Sequence, residues 1–191
     1  MFLNLKSEKV FLLLLTSFLF PAIAQGQVTP DGSTSTTVTT DGDRSVIRDG
    51  QLAGENLFHS FSDFSLPNGG EAAFDNAATV ENIISRVTGG QISNINGVIS
   101  ANGGANLFLV NPAGIVFGDG ASLQIGGSFL GSTADSILFP DDIEFSANNP
   151  QATPLLTVNA PIGLSFRDNP AEIQVQGANL RVNAGQSLAL L

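Results

Sequence analysis

The sequence predicts an all-β chain of short strands wound as a solenoid, and three features carry that expectation. From Ser45 onward, apolar clusters of three to five residues recur, rich in β-branched and aromatic side chains, and several alternate with period two. Gly, Asn, Asp or Pro interrupts them at intervals of roughly six to nine residues, too short to flank ordinary hairpins with long strands. Helical periodicity is thin. About three short strands per coil, with a corner pattern returning roughly every 20–25 residues, describes a right-handed parallel β-helix. On periodicity alone a β-sandwich fits equally well.

Taken in order, residues 1–24 have the three parts of a secretory signal peptide. Lys6 and Lys9 supply the positive start, Val10 to Phe20 the apolar run, and Pro21-Ala-Ile-Ala24 a small-residue site with cleavage expected before Gln25. The alternative, a membrane anchor, needs about 20 apolar residues. No other segment approaches that length, so the mature chain is not expected to be membrane-integral. Residues 25–44 are Thr-, Ser-, Gly- and Asp-rich, a flexible leader or a first cap strand. Residues 45–191 form the folded domain. Its strand-like clusters are Ile92–Ile95, Val98-Ile99, Leu107–Val110, Ile115–Phe117, Leu123–Ile125, Phe129-Leu130, Leu155–Val158, Ile162–Leu164, Ile173–Val175 and Leu180–Val182. Ala77–Arg86 carries Val80, Ile83, Ile84 and then Val87 near helical spacing, so a helical turn and a short strand are equal alternatives there. Asn and Gly suit the corners because both tolerate left-handed backbone. Stacked Asn side chains can also pair from coil to coil as amide ladders.

Composition removes most chemistry. The 191 residues include no Cys, one His and 17 acidic against seven basic residues, a net charge of −10. Without Cys there is no disulfide framework, thiol catalyst or thiolate metal site. The acidic balance opposes nucleic-acid binding. A single His excludes a His-cluster metal site, and no metal or other cofactor is expected. Both lysines precede residue 10, so Schiff-base and P-loop chemistry have no lysine in the mature chain. His59, within Asn56-Leu-Phe-His-Ser-Phe61, reads as a packing or hydrogen-bonding residue. Asp141-Asp142-x-Glu144 is the densest acidic group. It fits an exposed corner after Pro140 better than a Ca²⁺ site or a glycosidase pair. Asp41-Gly-Asp43 likewise reads as a turn. No catalytic residue is assigned.

The informative stretch runs from Ala105 to Gly118. Leu107–Val110 and Ile115–Phe117 read as strands joined by Asn111-Pro112-Ala113-Gly114. Pro presets φ at the second turn position, Asn can bond its own backbone at the first, and Gly fits the fourth. By itself this is a corner in a β protein.

At this stretch the sequence resembles the N-terminal secretion domain of filamentous haemagglutinin-type exoproteins, the passengers of two-partner secretion. The signature is Ala-Asn, four apolar residues, then Asn-Pro-Asn-Gly-Ile. Ala105, Asn106, Asn111, Pro112, Gly114 and Ile115 match it, with Ala113 in place of the third Asn. Blocks typical of a cyanobacterial-like branch also occur: Asn56–Phe61, Asn82–Gly90, Ile125–Phe129 leading to Ser132–Ala134, Phe145-Ser-Ala, Asn149–Ala152 and Pro154–Thr157. The similarity runs from about Val46 to Leu191. An Asn-Pro-Asn-Leu motif found upstream in many members is absent; Asp75-Asn-Ala-Ala78 stands in that region.

The resemblance implies a right-handed parallel β-helix with a small N-terminal β cap, and a secretion module of a surface-exposed or secreted adhesin. Its implied partner is an outer-membrane barrel transporter whose periplasmic domains bind the chain after export, before it nucleates folding outside. Asn106, Asn111, Pro112, Gly114 and Ile115 are the implied secretion-motif residues. A host or cell-surface receptor is implied only through a passenger beyond Leu191. The strand-like pattern stops at Leu191 without a polar cap, so this chain is expected to be a truncated piece of a longer exoprotein. The competing readings are an extracellular polysaccharide-active β-helix enzyme and a carbohydrate-binding surface domain.

Overall fold

A computed structural model describes residues 27–150 and 159–191. Residues 1–24, expected to be a signal peptide, and the Leu155–Val158 cluster lie outside the described residues. Every regular element among those described is a strand. β1 (Val28–Pro30), β2 (Thr36–Asp41), β3 (Arg44–Asp49) and β4 (Gln51–Ala53) precede the coils. The first coil holds β5 (Asn56–Phe64) and β6 (Glu71–Phe74), the second β7 (Asn82–Val87), β8 (Ser93–Ile95) and β9 (Val98–Ala101), and the third β10 (Asn106–Val110), β11 (Ile115–Phe117) and β12 (Ser122–Gln124). A fourth begins with β13 (Phe129–Ser132). The chain then leaves the coil for β14 (Ser136–Leu138), β15 (Glu144–Ser146) and β16 (Gly163–Ser165), and returns at β17 (Ile173–Val175) and β18 (Leu188–Leu190).

Three stacks result, and their order separates the alternatives left open by periodicity. β5, β7, β10, β13 and β18 pair in parallel down one wall, with Leu57, Ile83, Leu107, Phe129 and Leu188 in one register. β3, β6, β9 and β12 form a second parallel wall, and β8, β11 and β17 a third. Two facing antiparallel sheets are therefore ruled out, and the chain is a parallel β-solenoid. Equivalent positions of Asn56, Asn82 and Asn106 are separated by 26 and 24 residues, close to the expected corner interval.

The interior is a continuous apolar column. Leu57, Phe61, Ile83, Val87, Leu107, Leu109 and Phe129 from the first wall meet Ile95, Ile115 and Phe117 from the third and Ala72, Phe74 and Ile99 from the second. Full burial of each larger side chain contributes about 1.5–3 kcal/mol. The first coil would expose this column at its start. β1 and β4 pair antiparallel with β5, and β2 pairs antiparallel with β3, so the Thr/Ser-rich segment covers those edges. Asp41-Gly-Asp43 is part of the β2–β3 hairpin turn.

The excursion covers the outside of the first wall. β14, paired antiparallel with β15 and β16, lays Ile137, Phe139 and Phe145 over Phe58, Ile84 and Val110. The wall strands are thus buried on both faces. This explains the helix-like spacing of Val80, Ile83, Ile84 and Val87: a strand buried on both sides carries consecutive apolar residues, and β7 is that strand. The Leu180–Val182 cluster is not a strand. Its neighbour Asn179 makes only an isolated bridge to Ser122 as the chain turns toward β18.

Polar ladders pin the register. Asn82 donates its amide to Asn56 Oδ1 at 2.9 Å, Asn106 donates to Asn82 Oδ1 at 3.0 Å, and Asn106 Oδ1 accepts the Ser128 amide at 2.9 Å. On the outer face of the second wall, Arg44–Glu71 and Arg48–Asp75 tie β3 to the first coil at 2.7 and 2.8 Å. These are exposed and contribute about 0–1 kcal/mol each. Asn82→Ala removes the middle rung and takes one hydrogen bond each from the buried Asn56 and the half-buried Asn106. It is expected to destabilise the domain by about 2 kcal/mol, read as a lowered urea midpoint at unchanged slope; an unchanged midpoint contradicts the ladder's role.

Candidate functional site

The Asn-Pro-Ala-Gly corner sits between β10 and β11, at the join of the first and third walls. Asn111 is fully buried and uses every polar group it has. Its carbonyl accepts the Gly114 amide at 3.0 Å, closing the turn, and Oδ1 accepts the Ala113 amide at 2.9 Å. Nδ2 donates to the Gln91 carbonyl and to Ser93 Oγ, both at 2.9 Å, in the preceding coil. Its backbone amide donates to the Ser132 carbonyl of the next coil at 2.9 Å. One residue therefore fixes the local turn and clamps three coils.

The rest of the motif completes the clamp. Pro112 is buried. Gly114 has φ +119°, and a Cβ there would stand 3.2 Å from the Glu172 carbonyl, so glycine answers both backbone and space. Ile115 is fully buried, in register with Ser93 and Ile173. Asn106, five residues earlier, is the lower rung of the amide ladder. The structure brings Asn111, Pro112, Gly114 and Ile115 together in one corner and places Asn106 at the other end of β10. Across the corner, only Ala113 keeps a partly exposed side chain. Outside the turn lies a cleft of about 390 Å³ lined by Val87, Thr88, Pro112, Ala113, Asn148 and Arg167. Arg167 is held by Asp135 at 2.6 Å. The corner carries no titratable side chain: it can position and bind through amides and shape, and offers no general acid or base.

The remaining candidates lie elsewhere in the fold. His59 points into the solenoid beside the rings of Phe61 and Phe74, and its Nδ1 lies 3.0 Å from Thr36 Oγ1. Burial pushes its pKa down to about 4, against a smaller upward pull from Asp49. Asp141 and Asp142 occupy left-handed backbone, φ 63° and 57°, as the exposed tip of the β14–β15 hairpin. Among the described residues no group of His, Asp and Glu is placed to hold a metal ion. No helix there is long and apolar enough to cross a membrane.

Two polar features escaped the sequence reading. Arg86 is buried in β7, and Asp31 gathers hydrogen bonds from Ser33, Ser60 and Thr88. The available signal was the lone arginine in the apolar run Ile83–Val87.

The architecture defines a class, a parallel solenoid with an antiparallel cap and a side sheet, and solved structures share it. The secretion domain of HMW1 from Haemophilus influenzae is 26% identical with a TM-score of 0.56, matching 87% of this chain and 38% of that one. The filamentous haemagglutinin secretion domain, 22% identical with a TM-score of 0.52 over 60% of this chain and 44% of that one, shares the fold. A heme/hemopexin-binding protein of H. influenzae is 27% identical over 135 residues, which is 65% of this chain but 14% of that protein. The TPS secretion domain family model matches residues 26–191, and the chain belongs to that family. This is the family that the motif residues pointed to.

The buried histidine sets a pH dependence. Its folded pKa lies below the unfolded value of 6.5, so the unfolded chain binds the extra proton. Stability is full above about pH 6.5, falls as pH drops toward 4 and levels off below. The full loss is about 3 kcal/mol. In chemical denaturation between pH 7 and 5, above the carboxylate range, His59→Gln should flatten the slope; an unchanged slope contradicts a buried neutral His59. The hairpin tip gives a second test. Asp141→Asn with Asp142→Gly supplies the pair preferred for two left-handed turn residues and should raise stability by about 0.5–1 kcal/mol in urea; a loss would point to work for those carboxylates beyond the turn.

Proposed function

We propose that this chain is the secretion-targeting module of a surface-exposed or secreted haemagglutinin-like exoprotein, recognised in the periplasm by an outer-membrane barrel transporter and folding outside as the first coils of a solenoid. In this reading residues 1–24 direct export and are removed before Gln25. The observation that carries the proposal is the burial of the motif within a domain of this family. Asn111, Pro112, Gly114 and Ile115 are sealed in the finished corner, and Asn106 spends its amide on the ladder. A partner reads those side chains only before the coil closes. Afterwards the same groups hold three coils together. Recognition and folding then compete for one set of hydrogen bonds, so folding outside removes the ligand and makes release one-way.

The parallel walls suit this order of events, since pairings separated by more than 20 residues form slowly and the chain remains open during transit. The lack of Cys means that no disulfide closes a loop on the way. Any receptor contact belongs to a passenger and not to this domain. Deleting 105–118 should abolish appearance outside the cell while signal cleavage and periplasmic export continue, read by immunoblot of medium and periplasm in cells carrying the cognate transporter. Ala113→Asn, at the partly exposed turn position, should leave secretion intact. Undiminished secretion of the deletion contradicts the proposal.

A further inference from the structure

Arg86 is 1% exposed, on the outer face of β7 between Ser60 and Val110 in register. No carboxylate among the described residues forms an ion pair with it. Its Nε donates to Ser60 Oγ at 2.8 Å, and the same hydroxyl donates to Asp31 Oδ2 at 2.6 Å. Nη2 donates to Ser33 Oγ at 2.9 Å and to the Pro150 carbonyl at 3.2 Å, and Nη1 donates to the Ser146 carbonyl. The guanidinium stands 4.1 Å from the Phe145 ring centroid. These partners come from three places far apart in sequence: the loop between β1 and β2, the first wall, and the excursion at β15 and just after it. Burial lowers the guanidinium pKa to about 10, against a smaller upward pull from Asp31, so it remains a cation at neutral pH. A buried cation with part of its hydrogen bonding missing is strongly disfavoured, because nothing else offsets its lost hydration. A state in which only the cap loop or only the excursion has closed is therefore penalised.

We propose that Arg86 is an assembly latch that couples closure of the N-terminal cap to docking of the β14–β15 hairpin, so that the two seal the first wall together or not at all. Neither Ser33 nor Phe145 depends on the other by direct contact; each meets the same guanidinium. If the domain is secreted through a barrel transporter, the latch cannot set until residue 150 is outside. The coupling itself is a property of the folded chain and is tested without secretion.

The measurement is amide hydrogen exchange by NMR on the purified chain, followed at Asp31, whose amide donates to Ser60, and at Ala147, whose amide donates to Asp135. Phe145→Leu should speed exchange at Ala147 and also at Asp31, by about tenfold at each. Ser33→Ala, on the partly exposed cap loop, should do the same in reverse, and it decides the matter if Phe145→Leu fails to fold. In an Arg86→Met background each substitution should affect only its own side. Exchange at the distant amide within twofold of the unsubstituted chain, with Arg86 present, overturns the latch.

Discussion

A single coil of a solenoid has no core of its own. Its inward residues leave water only when another coil or a cap lies against them, so the structure depends on stacking one coil on the next. That constraint accounts for features that look unrelated in the sequence. Thr- and Ser-rich strands cover the starting edge, because the first coil has no predecessor. Asparagines recur at 26 and 24 residues, because the amide of each rung needs a partner in the next. Gly97 is fixed by the same closeness: a Cβ there would meet the Gly70 carbonyl oxygen at 2.2 Å.

Much of this was legible in the residues. The short apolar clusters located β8, β10, β11, β13 and β17, and the chemistry of Asn, Pro and Gly gave the turn before β11 its mechanism. Parallel stacking was not legible from periodicity. A solenoid interior asks only that inward residues be apolar and of suitable size, so Leu57, Ile83, Leu107 and Phe129 share a register without sharing a sequence. Only the motif blocks separated the solenoid from a sandwich. The excursion was hidden for a related reason: β14 to β16 have the same apolar texture as coil strands, and nothing local says that their partner is the outside of the wall. Burial on both faces gave β7 its helical look. Arg86 was overlooked because its partners lie about 25 to 65 residues away in sequence.

At the site, the residues singled out from sequence have a firm physical role, and that role is internal. Asn111 is a clamp and Asn106 a ladder rung. A surface-recognition role in the finished domain conflicts with the burial of Asn111 and with the ladder bonds that occupy the half-buried Asn106 amide. A role in the open chain does not, and the proposed secretion signal takes that form: folding consumes it. The acidic hairpin tip is an exposed turn, and His59 is packed inside the solenoid.

The most direct test compares the two states of the chain as ligands. Gly97→Val leaves residues 105–118 unchanged but forces a side chain into the Gly70 carbonyl, and should hold the chain unfolded. Calorimetric titration of the transporter's periplasmic domains with this variant and with the native domain measures the preference. A signal consumed by folding predicts that the unfolded variant binds and the native domain binds at least tenfold more weakly. Equal or tighter binding by the native domain would contradict it.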